Sequence, residues 1–370
     1  MNFDYSDEQQ QLADSVRKFL AQSYGFEQRK AILQSARGDS EPVWKTFAEM
    51  GLTALALPEA DGGFGGGAID LMPVMEACGE ALVVEPLLDQ IVAGRLLSQA
   101  GSAAQRAALL PGLIDGSTRF AFAYLEPGRR YELAPQGTTA NQAGGGWVLN
   151  GAKSVVIGAA AADKLIVSAD AGGASLFVVD AKAQGVSLNP CRTVDGQRAA
   201  DVRLSDVKLP ADALLGPAGN ALPLIDAALD FAIALQCADA IGAMSFANDT
   251  TLEYLKTRKQ FGVPIGSFQA LQHRIVEMFI HTEQARSMAI LAAAKVDTAT
   301  SADERRRAVS AAKVKIADAA RIVSQEAVQL HGGMGMTEEL KISHTFRRLT
   351  TLGQRFGDAD HHLERYASLG

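Results

Sequence analysis

Two apolar helical runs, one from about residue 220 and one from about 268, meet in the stretch Tyr254–Gln269, YLKTRKQFGVPIGSFQ. Each is far longer than an ordinary globular helix. Helices of that length joined by a short break bury their apolar stripes against each other, which predicts an antiparallel bundle. Leu222, Ile225, Leu229, Ile233 and Ala240 mark the first stripe, and Phe268, Leu271, Ile275, Met278 and Phe279 the second. The break admits two readings. Arg258, Lys259 and Gln260 ahead of a turn at Gly262 and Pro264 suit a phosphate, because guanidinium forks match its oxygens. The same residues also suit a solvated helix end, where cations complement the dipole.

A third long helix follows, with Ser301 and Glu304 as its capping box, Val309, Val314, Ile316, Ile322 and Val323 along it, and Gly332-Gly333 at its end. A shorter helical tail occupies 338–369. Residues 1–116 also read as helices. Ser6 with Gln9 is a capping box, and Leu12, Val16, Phe19 and Leu20 share one face. A helix from Ser40-Glu41-Pro42 buries Trp44 and Phe47 and stops at Gly51. Others are expected near 69–82, 86–99 and 103–110. The glycine-rich 61–67, DGGFGGG, lacks the Lys-Ser/Thr of a P-loop and is a loop. From 117 to 212 the period changes to short β-runs, separated by Asn150-Gly151, Gly172-Gly173 and Asp195-Gly196, which predicts a small barrel or sandwich with WVLNGAKSVVI as a hairpin. The expected class is α+β, mostly α, in three domains: 1–116 helical, 117–212 β, and 213–370 a four-helix bundle.

The net charge of −7 and scattered basic residues argue against nucleic acid and anionic membranes as main partners. Cys78, Cys191 and Cys237 form no CxxC, and none has a His at ligand spacing, so they read as reduced thiols of a cytoplasmic protein. The polar, acidic start MNFDYSDEQQ is not a signal peptide. His361-His362 are adjacent on an expected helix and do not face one ion, His273 and His281 sit two turns apart without a suitably spaced carboxylate, and His331 reads as a packing or solvent residue, so no metal is expected.

The domain order, together with YLKTRKQFGVPIGSFQALQHRIVEM, WKTFAEMGLTALALPEADGGFGG, GWVLNGAKSVVI and AVQLHGGMGMTEELKISHTFRR, resembles the acyl-CoA dehydrogenase family over nearly the whole chain. The resemblance implies FAD bound across a subunit interface. Arg258 and Gln260 would meet its pyrophosphate, with Phe261 close by and Gln269 on the adenosine side. Gln329, Gly332 and Gly333 would reach the same dinucleotide from the neighbouring subunit. Backbone groups of Leu125 and Ile157 would face the flavin. The implied reaction is α,β-oxidation of an acyl-CoA thioester, with a carboxylate base and flavin as hydride acceptor.

The chain departs from the family where chemistry is done. Phe356 stands at the usual Glu position, and FAIAL at 231–235 has no acid at the alternative one. Asp358 is a substitute base or a helix cap. The family's flavin-facing Thr-Glu-Pro and Trp-Ile-Thr are Leu125-Glu126-Pro127 and Val155-Val156-Ile157, and bulky Arg129 and Arg130 stand where substrate enters. Either arginine suits the distal carboxylate of a dicarboxylyl-CoA. YLEP, KSVV and FGDADHHL resemble the small subunit of pimeloyl-CoA dehydrogenase. That likeness implies a degenerate chain acting in a heterotetramer with a large subunit, with an electron-acceptor flavoprotein downstream. The alternatives are a homo-oligomer using Asp358 and a non-catalytic scaffold without FAD.

Overall fold

Ser6 accepts the N–H of Gln9 while the Gln9 side chain accepts the N–H of Ser6, and this reciprocal cap starts α1 (Asp7–Ser23). In the computed structural model, which describes residues 5–369, Ala13, Val16 and Leu20 of α1 face inward. Residues 1–4, at the start of the segment read as lacking a signal peptide, lie outside the described residues. The N-terminal helices continue as α2 (Phe26–Gln34), α3 (Glu41–Glu49), α4 (Ala68–Ala81), α5 (Leu87–Ala100) and α6 (Ala103–Ile114). Ser40 caps α3 and Ser102 caps α6, as their sequences require. α6 runs past the expected 110 to Ile114, with Pro111 inside it.

The chain packs as two compact units. One comprises residues 31–67 and 84–232 and holds the sheet: β1 (Phe120–Ala123), β2 (Thr139–Ala143), β3 (Gly146–Ile157), β4 (Lys164–Asp170), β5 (Ala174–Asp180), β6 (Val186–Arg192), β7 (Arg198–Leu209) and β8 (Leu214–Leu215). The strand order is β6-β7-β3-β2-β4-β5-β8, with β1 beside β4. Pairing is antiparallel except for β1 and β2 against β4. Leu149, Leu165, Val167, Phe177, Val202 and Leu204 form its core. Gln90 on α5 accepts the Phe120 N–H at 2.8 Å and donates to Thr118 O at 2.9 Å, tying that helix to β1.

WVLNGAKSVVI is not a hairpin. It lies within the continuous strand β3, and the reversal occurs one turn earlier, at Gly144 and Gly145, both at positive φ. Asn150 bonds Asp206 across to β7 through both its amide groups, and Gly151 lies against Thr138, so Asn-Gly marks a register shift rather than a turn. Gly172-Gly173 and Asp195-Gly196 do join strands, β4 to β5 and β6 to β7.

Of the described residues, the second unit comprises 5–30, 68–83 and 233–369. It takes most of α7 (Leu222–Thr257), then α8 (Gln269–Thr298), α9 (Ala302–His331), α10 (Lys341–Gln354) and α11 (Ala359–Ala367). α9 packs against α8, α10 and α11. Ala312, Ile316, Ala319, Ala320 and Val323 form its buried stripe. The stripe read on α8 is only partly internal. Its buried residues are mostly small, Thr282, Ala285, Ala289, Ala292 and Ala293, while Phe268, Val276, Phe279 and Ile280 are exposed. Among the described residues no helix is long and apolar enough to cross a membrane.

Candidate functional site

The last turn of α7 ends at Thr257, and the chain then forms a two-residue ladder, β9 (Lys259–Gln260) against β10 (Val263–Pro264). The break is therefore a tight β-hairpin whose turn residues are Phe261 at φ +53 and Gly262 at φ +83. Two consecutive positive φ values belong to a type I′ turn, where Asn-Gly is the usual pair. A bulky residue in that first position is strained. The Phe261 ring is 90% exposed, so no packing within this chain offsets the strain. It meets only the edge of Phe268, with ring centroids 6.1 Å apart. Ile265 donates its N–H to Arg258 O at 2.8 Å, closing the hairpin onto the helix end.

Arg258, Lys259, Gln260 and Gln269 are all exposed, and no described carboxylate pairs with either cation. Phe268 precedes α8 without a side-chain cap, so the N–H groups of Gln269 and Ala270 are left uncapped, while that of Leu271 donates to Phe268 O at 2.9 Å. The corner concentrates positive charge, unsatisfied donors and one strained aromatic ring. That combination suits an anionic dinucleotide.

The end of α9 adjoins this corner. Tyr254 stacks on His331 with centroids 4.4 Å apart and reaches His331 O at 3.5 Å. His331 is buried, its Nδ1 shares a 2.8 Å hydrogen bond with Ala327 O, and burial pushes its pKa down. It is a packing residue, as its place beside the glycines suggests. Gly332 adopts φ +60, ψ −143, a conformation for glycine, and a side chain at Gly332 or Gly333 would meet no atom within 4 Å. Their backbone therefore faces open space. Gln329 is exposed and accepts the N–H of Gly332 through its backbone carbonyl. Arg258, Gln260 and Phe261 thus stand at the same end of the bundle as Gln329, Gly332 and Gly333 within a single chain.

Phe356 is held at φ +64 after α10. The Arg355 guanidinium lies over its ring at 4.5 Å, and its carbonyl is 3.0 Å from His362 Nε2. His362 is buried and its Nδ1 is 3.3 Å from Ser310 Oγ. Burial is the main cause that pushes this imidazole down to about 3. Lys313, also fully buried, donates to Gln236 at 2.8 Å and to Leu352 O, and burial pushes its pKa down to about 8. These two buried groups hold the segment at Leu352 O and at the carbonyl of Phe356 itself. Asp358 caps α11 by accepting the His361 N–H at 2.9 Å. It also lines an open groove of about 780 Å³ between α9, α10 and α11, with Asp318, Arg321, Gln325, Thr350 and Asp360.

In the sheet-bearing unit, Leu125 O accepts the Ser154 N–H at 3.0 Å, which brings the segments carrying Leu125 and Ile157 together. Beneath them Lys153, wholly buried, donates to Glu126 at 3.0 Å, Tyr124 O at 3.2 Å and Ser168 Oγ at 3.0 Å. Glu126 also gathers the N–H groups of Gln136, Gly137 and Thr138. Burial pushes its carboxyl up, but the Gly137 and Gln136 N–H groups and the Lys153 ammonium outweigh it and bring it to about 2. Burial pushes Lys153 down to about 8. No motif reading singled out this pair. The two residues lie far apart in sequence, and each alone resembles a surface charge. Val155 is at φ +49 and half exposed, with its N–H held by Asp201 at 3.0 Å. Ile157 is buried against β7. Arg129 is neutralised by Glu132, whereas Arg130 is exposed at φ +48.

Family models described as the N-terminal, middle and C-terminal domains of acyl-CoA dehydrogenase match residues 6–117, 121–207 and 222–367. The chain is 33% identical over 357 residues to acyl-CoA dehydrogenase FadE12 of Mycobacterium tuberculosis, covering 92% of this chain and 90% of that protein. Among solved structures, a variant of the Tcur3481-Tcur3483 steroid ACAD is 33% identical with a TM-score of 0.89, covering 98% of this chain and 97% of the other. The ChsE4-ChsE5 complex from Mycobacterium tuberculosis gives a TM-score of 0.91 at 24% identity, with 100% and 98% covered, a likeness of fold.

Proposed function

Because the chain belongs to the acyl-CoA dehydrogenase family, we propose that it is an FAD-linked acyl-CoA dehydrogenase chain acting as the small, catalytically degenerate subunit of a heteromer. Its chemistry is that of an oxidoreductase on acyl-CoA thioesters, with FAD as the hydride acceptor. The open corner fits the group. Arg258 and Gln260 would hold the pyrophosphate, Phe261 would pack against the dinucleotide, and Gln269 would bond its adenosine side. Gln329, Gly332 and Gly333 offer the complementary set. In a heteromer, one of these sets from this chain completes a flavin site whose other half comes from a large subunit.

The observation that carries this reading is the contrast between the two ends of the same unit. The corner keeps an unpaired Arg258 and a strained, exposed Phe261, while Phe356 offers no carboxylate where the family places its base. Lys313 and His362 hold the backbone around Phe356, and Asp358 is occupied as a cap. Tcur3481-Tcur3483 is named for two components and ChsE4-ChsE5 is a complex, which supports a two-chain assembly here. In that assembly Leu125 and Ile157 would offer backbone contacts, and Arg130 the free cation for an acyl-CoA bearing a distal carboxylate. We place the domain limits at 1–116, 117–212 and 213–370.

The test is the FAD-to-chain ratio and visible spectrum of the chain expressed alone and then with its genomic neighbour. One FAD per pair and acyl-CoA-dependent reduction of an acceptor are expected only from the co-purified complex. A colourless complex would favour a scaffold, and a yellow, active homo-oligomer that loses turnover in Asp358→Asn would favour the self-sufficient reading.

A further inference from the structure

Tyr254 lies in the last turn of α7 and holds two elements at once. Its carbonyl accepts the Arg258 N–H at 2.8 Å, which fixes the backbone that carries the exposed guanidinium. Its ring stacks on His331 with an interplanar angle of 27°, and its hydroxyl reaches His331 O. That carbonyl is among the last of α9, where the helix itself supplies no donor.

The glycine loop after α9 is built onto the same histidine. Gly335 folds back so closely that a methyl group on it would stand 2.6 Å from Val328 O and 3.0 Å from His331 Cβ. Farther on, Ser343 Oγ donates to Thr337 O at 2.6 Å and ties the loop to α10. His331 is therefore packed both by the Tyr254 ring and by the returning loop, and Gly332 is the next residue. Gly332 and Gly333 have no side chains to anchor them and face open space, so their place is set by what holds His331.

We propose that Tyr254 is a positioning residue that fixes the glycine loop relative to Arg258, so that both meet one anionic dinucleotide in a preset arrangement. The inference rests on the FAD reading above. Tyr254 acts through His331 and through the backbone of Arg258 and is not itself a ligand. A loop already in its bound place loses less freedom when the ligand arrives, and an aromatic stack is strong enough to set that place.

Hydrogen exchange is measured on the full-length chain, alone and in its co-purified complex, after FAD has been removed. Tyr254→Leu takes away the flat face and Tyr254→Phe keeps it. Tyr254→Leu is expected to speed exchange in peptides covering 332–336 by ~3- to 10-fold, the worth of an aromatic stack. Peptides of the buried α9 stripe should keep the parent's rate, and Tyr254→Phe should restore protection of the loop. Where Tyr254→Leu does not fold, His331→Leu removes the other half of the stack and carries the same expectation. In the complex, fluorescence titration should show FAD held more loosely by Tyr254→Leu by a similar factor, and as in the parent by Tyr254→Phe. Adding His331→Leu to Tyr254→Leu should cost nothing more, because the two act as one unit. Unchanged exchange in 332–336, or an increase spread equally along α9, overturns the proposal. If Arg258→Gln loses FAD while Tyr254→Leu keeps it, the positioning role alone falls. If Arg258→Gln also keeps FAD as the parent does, the FAD reading falls and takes the positioning role with it.

Discussion

Phe261 and Glu126 show how single residues carry opposite kinds of cost. Phe261 holds a positive φ with its ring in solvent, a strain of ~1 kcal/mol or more. Phe261→Gly should therefore leave the chain as stable or slightly more stable in thermal melts, while FAD retention by the assembled complex falls. Arg258→Gln should weaken that retention ~10-fold or more, the worth of a charged hydrogen bond, measured by fluorescence titration of released FAD. Glu126 is the reverse case, a buried charge with its partners in place. Its carboxyl titrates near 2 when folded, below its ordinary 4.5. Its contribution is therefore complete above about pH 4.5 and is lost as pH falls towards 2. Urea melts of Glu126→Gln should show a smaller loss of stability between pH 5 and 3 than the parent. They should also show ~3 kcal/mol lower stability at pH 7, where Lys153 is left unpaired. Neither the strain nor the pair is visible in sequence. A strained φ is known only once the turn type is known, and Lys153 looks like any lysine in an alternating strand.

At the scale of elements, the crossing of α4 and α7 depends on two glycines that no turn requires. A methyl group on Gly79 would stand 1.9 Å from Asp239 O, and one on Gly242 1.9 Å from Glu76 O. The helices meet backbone to backbone there, and Arg348 from α10 pairs with buried Asp239 beside the crossing. Gly242→Ala should cost ~2 kcal/mol, in the range for overpacked cores, even though alanine is the better helix former in isolation. A chemical-denaturation midpoint shifted down, with the slope unchanged, is the expected result. Serine-capped helix starts were legible, since Ser6, Ser40 and Ser102 act through neighbours three residues away, whereas the end of α6 at Ile114 was not. Asn150-Gly151 was misleading because its cross-strand bond to Asp206 is a tertiary contact.

For the whole molecule, the large apolar side chains on α8 are the main unanswered surface. Phe268, Val276, Phe279 and Ile280 are exposed on a helix whose inward side is mostly alanine and threonine. A patch of this kind marks an interaction face, and its helix begins at the basic corner. In the proposed heteromer that face is covered. Phe279→Glu with Ile280→Glu should release this chain from its partner in size-exclusion chromatography and lower the FAD per chain, while its circular dichroism stays native.

The amino-acid sequence alone carried the family resemblance through its matching segments, and the helix-sheet-bundle order and the basic corner through periodicity and caps, which act over a few residues. It also put Phe356, and no carboxylate, where the resemblance expects the base. Only the tertiary structure decided that the corner is a strained hairpin, that Tyr254 joins it to the glycines after α9, and that Lys313 and His362 grip the backbone around Phe356. These depend on groups distant in the chain being buried together, and burial gives an ordinary lysine, histidine or phenylalanine a role that its neighbours in sequence do not specify.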